Sequence, residues 1–315
     1  MNKTFYFILF LLLTLVSACA GGSQTLTTQV PAQAKMVTIY APASTSSVPV
    51  ILAAGKMDNV ELVLFSNQTQ ANVEFLRGDA QVMVTGLSVG FDLKKNGAPL
   101  QLINTYVNGL SYLVSYGFEA NSFSDLKGKS VYVPFEGSPI EEAAAYLAGN
   151  EGVAWKTDIT PVYSPFDASI ALLKEGKLEA VILPEPMVSL VEGLPSVFVG
   201  PSLYSLWNQY NPGDDGYPQV GTIINVDFAA KNPAFVEQFN EALAAAITET
   251  QADPAAAVEA VKDQFKIPAP KMAAAMGRTH YHLLTAAEMQ SAVEKYYEVI
   301  GKPLSDEFEG FYYLP

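Results

Sequence analysis

Residues 125–186 read as one continuous βαβαβ unit, which restricts the chain to folds built on a parallel sheet with helices on its faces. A polar turn at Asp125, Lys127, Gly128 and Lys129 delivers the chain into a β-rich run over 131–135. Ser138, Pro139 and Glu141 then fit a capping box: Ser138 is the N-cap, Pro139 takes the first helical position, where an N–H is not needed, and Glu141 takes the third. A strand is predicted over 159–163, a helix over 168–174 that stops at Gly176, and a buried strand over 180–183 that ends at Pro184, Glu185 and Pro186. In such sheets ligands sit beyond the carboxyl ends of the strands, so the turns at Glu136, Gly137 and Ser138, at Tyr163, and at Glu185 are candidate binding positions.

The same grammar occurs earlier. Phe75, Leu76, Arg77 and Gly78 end a predicted helix, 82–84 form a strand, and Thr85, Gly86 and Leu87 follow; aligning Gly78 with Gly176 sets Gly86 against Pro184. Strands are expected over 36–40, 60–65 and 100–106 and helices over 48–54 and 70–76. The polar loops Ser44 to Ser47 and Ser66 to Thr69 lie between strand ends and helix starts, so hydroxyls, amides and backbone N–H groups gather on one edge. Helix capping alone also explains residues of this kind. Asn108 and Gly109 turn the chain into a run over 110–118 that crosses to a second lobe, and 220–226 returns as a strand. This predicts an α/β fold of two lobes: 36–115 with 220–315, and 116–219.

The chain begins as a secretory leader. Lys3 is followed by an apolar run over 5–16, too short for an ordinary transmembrane helix, and by Ser17 and Ala18, so a signal peptide over 1–18 is expected. Leu15, Val16, Ser17, Ala18 and Cys19 resemble the bacterial lipobox, which implies acylation of Cys19 and a membrane attachment through lipid. Cys19 is the only cysteine, so no internal disulfide can form. Residues 19–35, rich in Gly, Ser, Thr, Gln and Ala, read as a flexible tether.

A formal charge of −14 argues against nucleic acid or an anionic membrane surface as the partner. There are two arginines, Arg77 and Arg278, and neither is predicted at the strand-end edge. Tyr204, Trp207 and Tyr210 fall in a segment read as a loop, free to stack on a ligand or to fold back on the lobe; Asp214 and Asp215 read as a turn. The remainder reads as helical, with N-caps before Pro233, before Pro254 and at Thr285. His280 and His282, two apart in such a helix, do not face one another, so no metal pair is expected there.

With these residues in view the chain resembles the periplasmic-type solute-binding proteins of the nitrate, sulfonate, taurine and thiamine-precursor group. The resemblance is carried by Leu62 to Ser66 and the glutamine-bearing helix start after them, by Phe75 to Ala80, by Asp125 to Val131, by Leu172 to Gly176, and by Pro184, Glu185 and Pro186. It implies a type II periplasmic-binding-protein fold, two α/β lobes joined by crossing strands with a small-molecule ligand between them. It also implies delivery to an ABC importer permease with its ATPase, from an extracytoplasmic, lipid-anchored position. The loop over 44–47 lacks the aromatic-rich glycine turn of many members. No cofactor, no catalytic constellation and a monomer are expected; an enzyme on the same scaffold, such as the thiamine-pyrimidine synthase, is marked by a cysteine cluster this chain lacks. The expected ligand-binding residues are Ser46, Asn67, Gln68, Thr85, Tyr106, Asn108, Glu136, Gly137, Ser138, Tyr163 and Glu185. Two carboxylates and no arginine on that edge favour a polar heteroaromatic such as a thiamine-precursor pyrimidine, its amino group donating to Glu185. A sulfonate-, taurine- or nitrate-type oxyanion, drawn by the helix N-termini, is the alternative.

Overall fold

The computed structural model describes residues 36–315; the leader, Cys19 and the tether lie outside the described residues. The chain runs β1 (Val37–Pro42), α1 (Ser47–Ala54), β2 (Val60–Phe65), α2 (Gln68–Arg77), β3 (Val82–Gly86), α3 (Leu87–Lys95) and β4 (Leu100–Gly109). There follow β5 (Ser111–Tyr116), β6 (Ser130–Val133), α4 (Pro139–Asn150), β7 (Thr160–Tyr163), α5 (Phe166–Lys174), β8 (Ala180–Pro184), α6 (Met187–Val191), β9 (Val197–Ser202) and α7 (Leu203–Tyr210). The last part holds β10 (Val220–Asn225), α8 (Val226–Lys231), α9 (Pro233–Ala252), α10 (Pro254–Val261), α11 (Ala269–Met276), β11 (His280–Leu284) and α12 (Ala286–Val299).

These strands form a six-stranded sheet, β11-β4-β10-β3-β1-β2, and a five-stranded sheet, β7-β6-β8-β5-β9. Each has the same nucleus. β1 pairs in parallel with β2 and β3, and β6 pairs in parallel with β7 and β8; antiparallel β10 then lies beside β3, and antiparallel β5 beside β8. The central strands β3 and β8 are covered on both faces, which is why both read as unbroken apolar runs. Gly78 and Gly176, which precede them, both take positive φ, +84° and +66°, and a Cβ on Gly176 would sit 2.8 Å from the Tyr116 ring. The chain passes between the sheets at Leu110, where β4 gives way to β5, and returns between α7 and β10.

Apolar burial follows the layers. One core packs Val48, Ile51, Phe239, Leu243, Val258 and Met272 from α1, α9, α10 and α11 on the six-stranded sheet, and a smaller one packs Ile170, Leu173 and Val188 on the five-stranded sheet. A third runs across both halves through Leu203, Trp207, Tyr217 and Tyr296, with Phe91 and Phe311 in contact at 4.4 Å. At ~25 cal/mol per Å² of apolar surface, cores of this size are the main favourable term in folding.

Two sequence expectations are corrected here. Tyr204, Trp207 and Tyr210 lie on the helix α7, capped by Ser202, whose hydroxyl accepts from Ser205 N at 3.0 Å. Their three-residue spacing is a helical signal, masked in the sequence by the Pro-Gly-Asp-Asp-Gly turn that follows. Trp207 is buried against Tyr146, Tyr217 and Tyr296. His280 and His282 lie on the strand β11, where alternate residues share a face, so the helical argument about them does not apply. Tyr204 stacks on His280 at 3.6 Å, and Tyr204 and His282 both bond the Asp215 carboxylate. Among the described residues no group of three or more His, Cys, Asp or Glu is placed to hold a metal.

Candidate functional site

The carboxyl ends of β1 and β3 in one sheet and of β6 and β8 in the other each lead into a helix start, and the two sets meet at Gly86. A Cβ added there would lie 2.8 Å from Pro139 Cγ at the start of α4. Only glycine permits that approach. Leu87 N donates to Gln219 O at 3.0 Å and Gln219 Nε2 to Ser111 Oγ at 2.9 Å, which ties the β3 turn to the segment returning from α7 and to the start of β5.

On the six-stranded side, Thr45, Ser46 and Ser47 are buried. Two buried tyrosines hold this loop from below: Tyr106 OH donates to Ser46 O at 3.0 Å and Tyr281 OH to Thr45 O at 2.8 Å, while Thr279 Oγ1 bonds Thr45 Oγ1 at 2.8 Å. Burial pushes both phenols well above the usual tyrosine range, so they stay neutral donors. The Ser44 and Ser46 hydroxyls bond each other at 2.7 Å, and no side chain caps α1. Nor does any side chain cap α3, which starts at the Gly86 turn. Thr85 Oγ1 and Ser88 Oγ, flanking that turn, are buried with no hydrogen-bond partner among the described residues. A buried hydroxyl without a partner costs on the order of 1–3 kcal/mol, and these two, unlike those within the strands and on α9, lie at a helix start on the strand-end edge.

The five-stranded side is the opposite. Ser138 Oγ accepts from Glu141 N at 3.1 Å, and the Glu141 carboxylate accepts from Gly137 N at 2.7 Å, Tyr163 OH at 2.8 Å and Trp155 Nε1 at 3.0 Å. The capping box thus closes one residue early, on Gly137 N, because Ser138 N is already bonded to Phe135 O. Glu185, 0% exposed, accepts from Ser189 N at 3.1 Å, so it caps the start of α6. Arg278 Nη1 lies 3.3 Å from it, which corrects the expectation that no arginine reaches this edge. Burial raises the Glu185 carboxyl above its usual range, opposed by the Ser189 and Arg278 contacts.

The predicted positions therefore fall into separate groups. Ser46 and Tyr106 are bonded to each other, and Gly137, Ser138 and Tyr163 are joined through Glu141. Thr85 stands with its hydroxyl unpartnered at the seam. Asn67 caps α2 through Gln70 N, and Gln68 bonds Asn72. Asn108 donates to Asp215 O at 2.6 Å while its Oδ1 has no partner, and exposed Glu136 pairs with Lys156 at 2.6 Å. Sequence reasoning missed Ser88, Gln219 and Arg278, for which local pattern carried no signal. It also gave Glu141 only a capping role, because Trp155 and Tyr163 reach that carboxylate through the tertiary fold.

A family model described as NMT1/THI5 like matches residues 36–257. Among solved structures, the chain is similar to the ligand-binding component of an ABC-type import system from Staphylococcus aureus, with 12% identity over 89% of this chain and 97% of that one, TM-score 0.70. The periplasmic aliphatic sulphonate binding protein SsuA from Escherichia coli is 19% identical over 89% of this chain and 92% of its own, TM-score 0.69. The alkanesulfonate-binding protein SsuA from Xanthomonas axonopodis pv. citri, bound to MOPS, is 16% identical over 86% and 94%, TM-score 0.68. At such identities the likeness is one of fold, and it matches the two-lobed periplasmic-binding-protein architecture expected from the sequence. No curated protein matches the chain in sequence.

Proposed function

The chain belongs to the NMT1/THI5-like family, and from that premise we propose that it is the solute-binding component of an ABC-type importer and captures a small oxyanion-bearing molecule between its lobes. The observation that carries the ligand class is the start of α3, which no side chain caps, with the Thr85 and Ser88 hydroxyls beside it unpartnered among the described residues; at α1 the Ser47 and Val48 N–H groups are already bonded to Ser44 O and Thr45 O. The positive end of α3 and the Thr85 and Ser88 hydroxyl donors together suit a sulfonate or a similar anion. That several proteins of like fold are sulfonate binders supports the same reading.

The thiamine-precursor pyrimidine loses its main support. It required a Glu185 carboxylate free to accept from a ring amino group, and Glu185 is fully buried against Ser189 N and Arg278. Glu141 and Glu185 are engaged in holding helix starts and, for Glu141, the Tyr163 and Trp155 donors, structural roles that suit a binding protein. The lobes in this proposal are 36–115 with 220–315, and 116–219, closing by a hinge at the two crossings. Acylated Cys19 and the tether over 19–35 hold a monomer outside the cytoplasmic membrane, within reach of its permease.

Calorimetry with a series of alkanesulfonates and with an aminopyrimidine tests the ligand class. Sulfonate binding that weakens about tenfold in Thr85→Val is the expected result. Binding of the pyrimidine with none of the sulfonates rejects it. Mass spectrometry of the mature protein, with Cys19→Ser as control, tests the anchor: a mature wild-type chain carrying no acyl mass removes it from the proposal.

A further inference from the structure

We propose that Lys271 and Arg278 form a latch that grips α6 from the other half of the protein and holds the two lobes together. The short helix α6 leaves the end of β8 in the five-stranded half, whereas both cations belong to the six-stranded half: Lys271 lies on α11, and Arg278 stands between α11 and β11. Their contacts bracket the helix. Arg278 Nη1 lies 3.3 Å from Glu185 ahead of it, Lys271 Nζ donates to Ser189 O within it at 2.7 Å, and Arg278 Nη2 donates to Glu192 just beyond it at 2.5 Å. Tyr112 of β5 adds a fourth contact, its OH donating to Arg278 O at 3.2 Å. Arg278 is thus bonded to the five-stranded half through both its side chain and its backbone.

The base of the latch is firm. Met272, Ala275 and Met276 of α11 are buried, with Met272 and Met276 in the core that also holds α1, α9 and α10, so the cations are carried on an element fixed to the first lobe. The grip has unequal parts. Glu185 is fully buried, which makes its pairing with Arg278 sensitive to the loss of either partner, whereas Glu192 is 47% exposed and its contribution is screened by salt. Because Lys271 meets a carbonyl rather than a carboxylate, one arm persists whatever the protonation of the two acids. All four contacts are made between groups of the protein itself.

The test is the distance between the lobes in the full chain without added solute. Spin labels at Glu175→Cys on one lobe and Lys231→Cys on the other, in a Cys19→Ser background, report that distance. Lys271→Met with Glu192→Gln leaves Arg278 on Glu185, so no buried charge is stranded, and it is expected to lower the ratio of closed to open molecules about fivefold. The unaltered protein should open in the same direction when salt is raised from about 0.1 M to about 1 M. Unchanged distances in both measurements would overturn the latch while leaving the ligand class untouched, and a failed sulfonate titration would leave the latch untouched.

Discussion

The two halves begin the helices after their equivalent central strands in opposite ways, although at the sheet edges the order reverses, with Asn67 capping α2 and no side chain capping α5. In the five-stranded half the starts are closed internally: Ser138 and Glu141 cap α4, and Glu185 caps α6, each with hydrogen bonds of 2.7–3.1 Å. In the six-stranded half α1 and α3 have no side-chain cap, and Thr85 and Ser88 keep their buried hydroxyls unpartnered. Both halves share one nucleus of parallel strands, so the difference does not come from topology. It comes from which residues stand at the strand ends. At these starts one half spends its polar side chains on its own helices, whereas in the proposed function Thr85 and Ser88 of the other are left to a solute.

The sharpest way to break this contrast is to remove the internal closure. Glu141→Ala strips partners from Gly137 N, Tyr163 OH and Trp155 Nε1 at once and should cost about 3 kcal/mol in urea unfolding. A loss under about 1 kcal/mol would mean that the carboxylate is not the hub of its half. Next in size is the pairing of Lys302 with Glu142, 2.9 Å apart. Burial raises the Glu142 carboxyl above its usual range, and Lys302 opposes that rise. Lys302→Met should therefore raise it further and cost about 1 kcal/mol at neutral pH, a figure discounted for the exposure of Lys302. The sign follows from linkage. A carboxyl raised on folding costs stability once pH climbs through its unfolded value toward its folded one, so the penalty should vanish at acid pH, where Glu142 is protonated in both states. A pH-independent loss in thermal melts would count against this account.

Smaller effects separate capping from reserve. Asn67→Ala should lower stability by about 0.5–1 kcal/mol, because its Oδ1 accepts from Gln70 N at 3.0 Å at an exposed helix start. No change in melting temperature would remove Asn67 from the capping role. Thr85→Val, by contrast, removes a buried hydroxyl that has no partner among the described residues, and should leave stability unchanged or raise it by a few tenths of a kcal/mol. A clear loss of stability would show that Thr85 is bonded within its own half, and the contrast between the halves would fall.

The alternation of strands and helices, the two glycine-ended repeats and the Ser138 cap were legible because each is set by residues close in sequence. Gly78 and Gly176 end helices by their own backbone freedom, and the apolar runs of β3 and β8 report burial on two faces. That local logic also explains the misreadings. The helix α7 was hidden by the turn signals after it, and β11 lies in a stretch dominated by helical caps, its strand form fixed by pairing with β4. Which polar side chains are spent and which are spare was decided by tertiary structure alone. Glu185 meets Arg278 across 93 residues of sequence, and Tyr106 reaches Ser46 across 60. A hydrogen bond depends on a distance of about 3 Å in space, and no periodicity in a chain encodes that distance between residues so far apart.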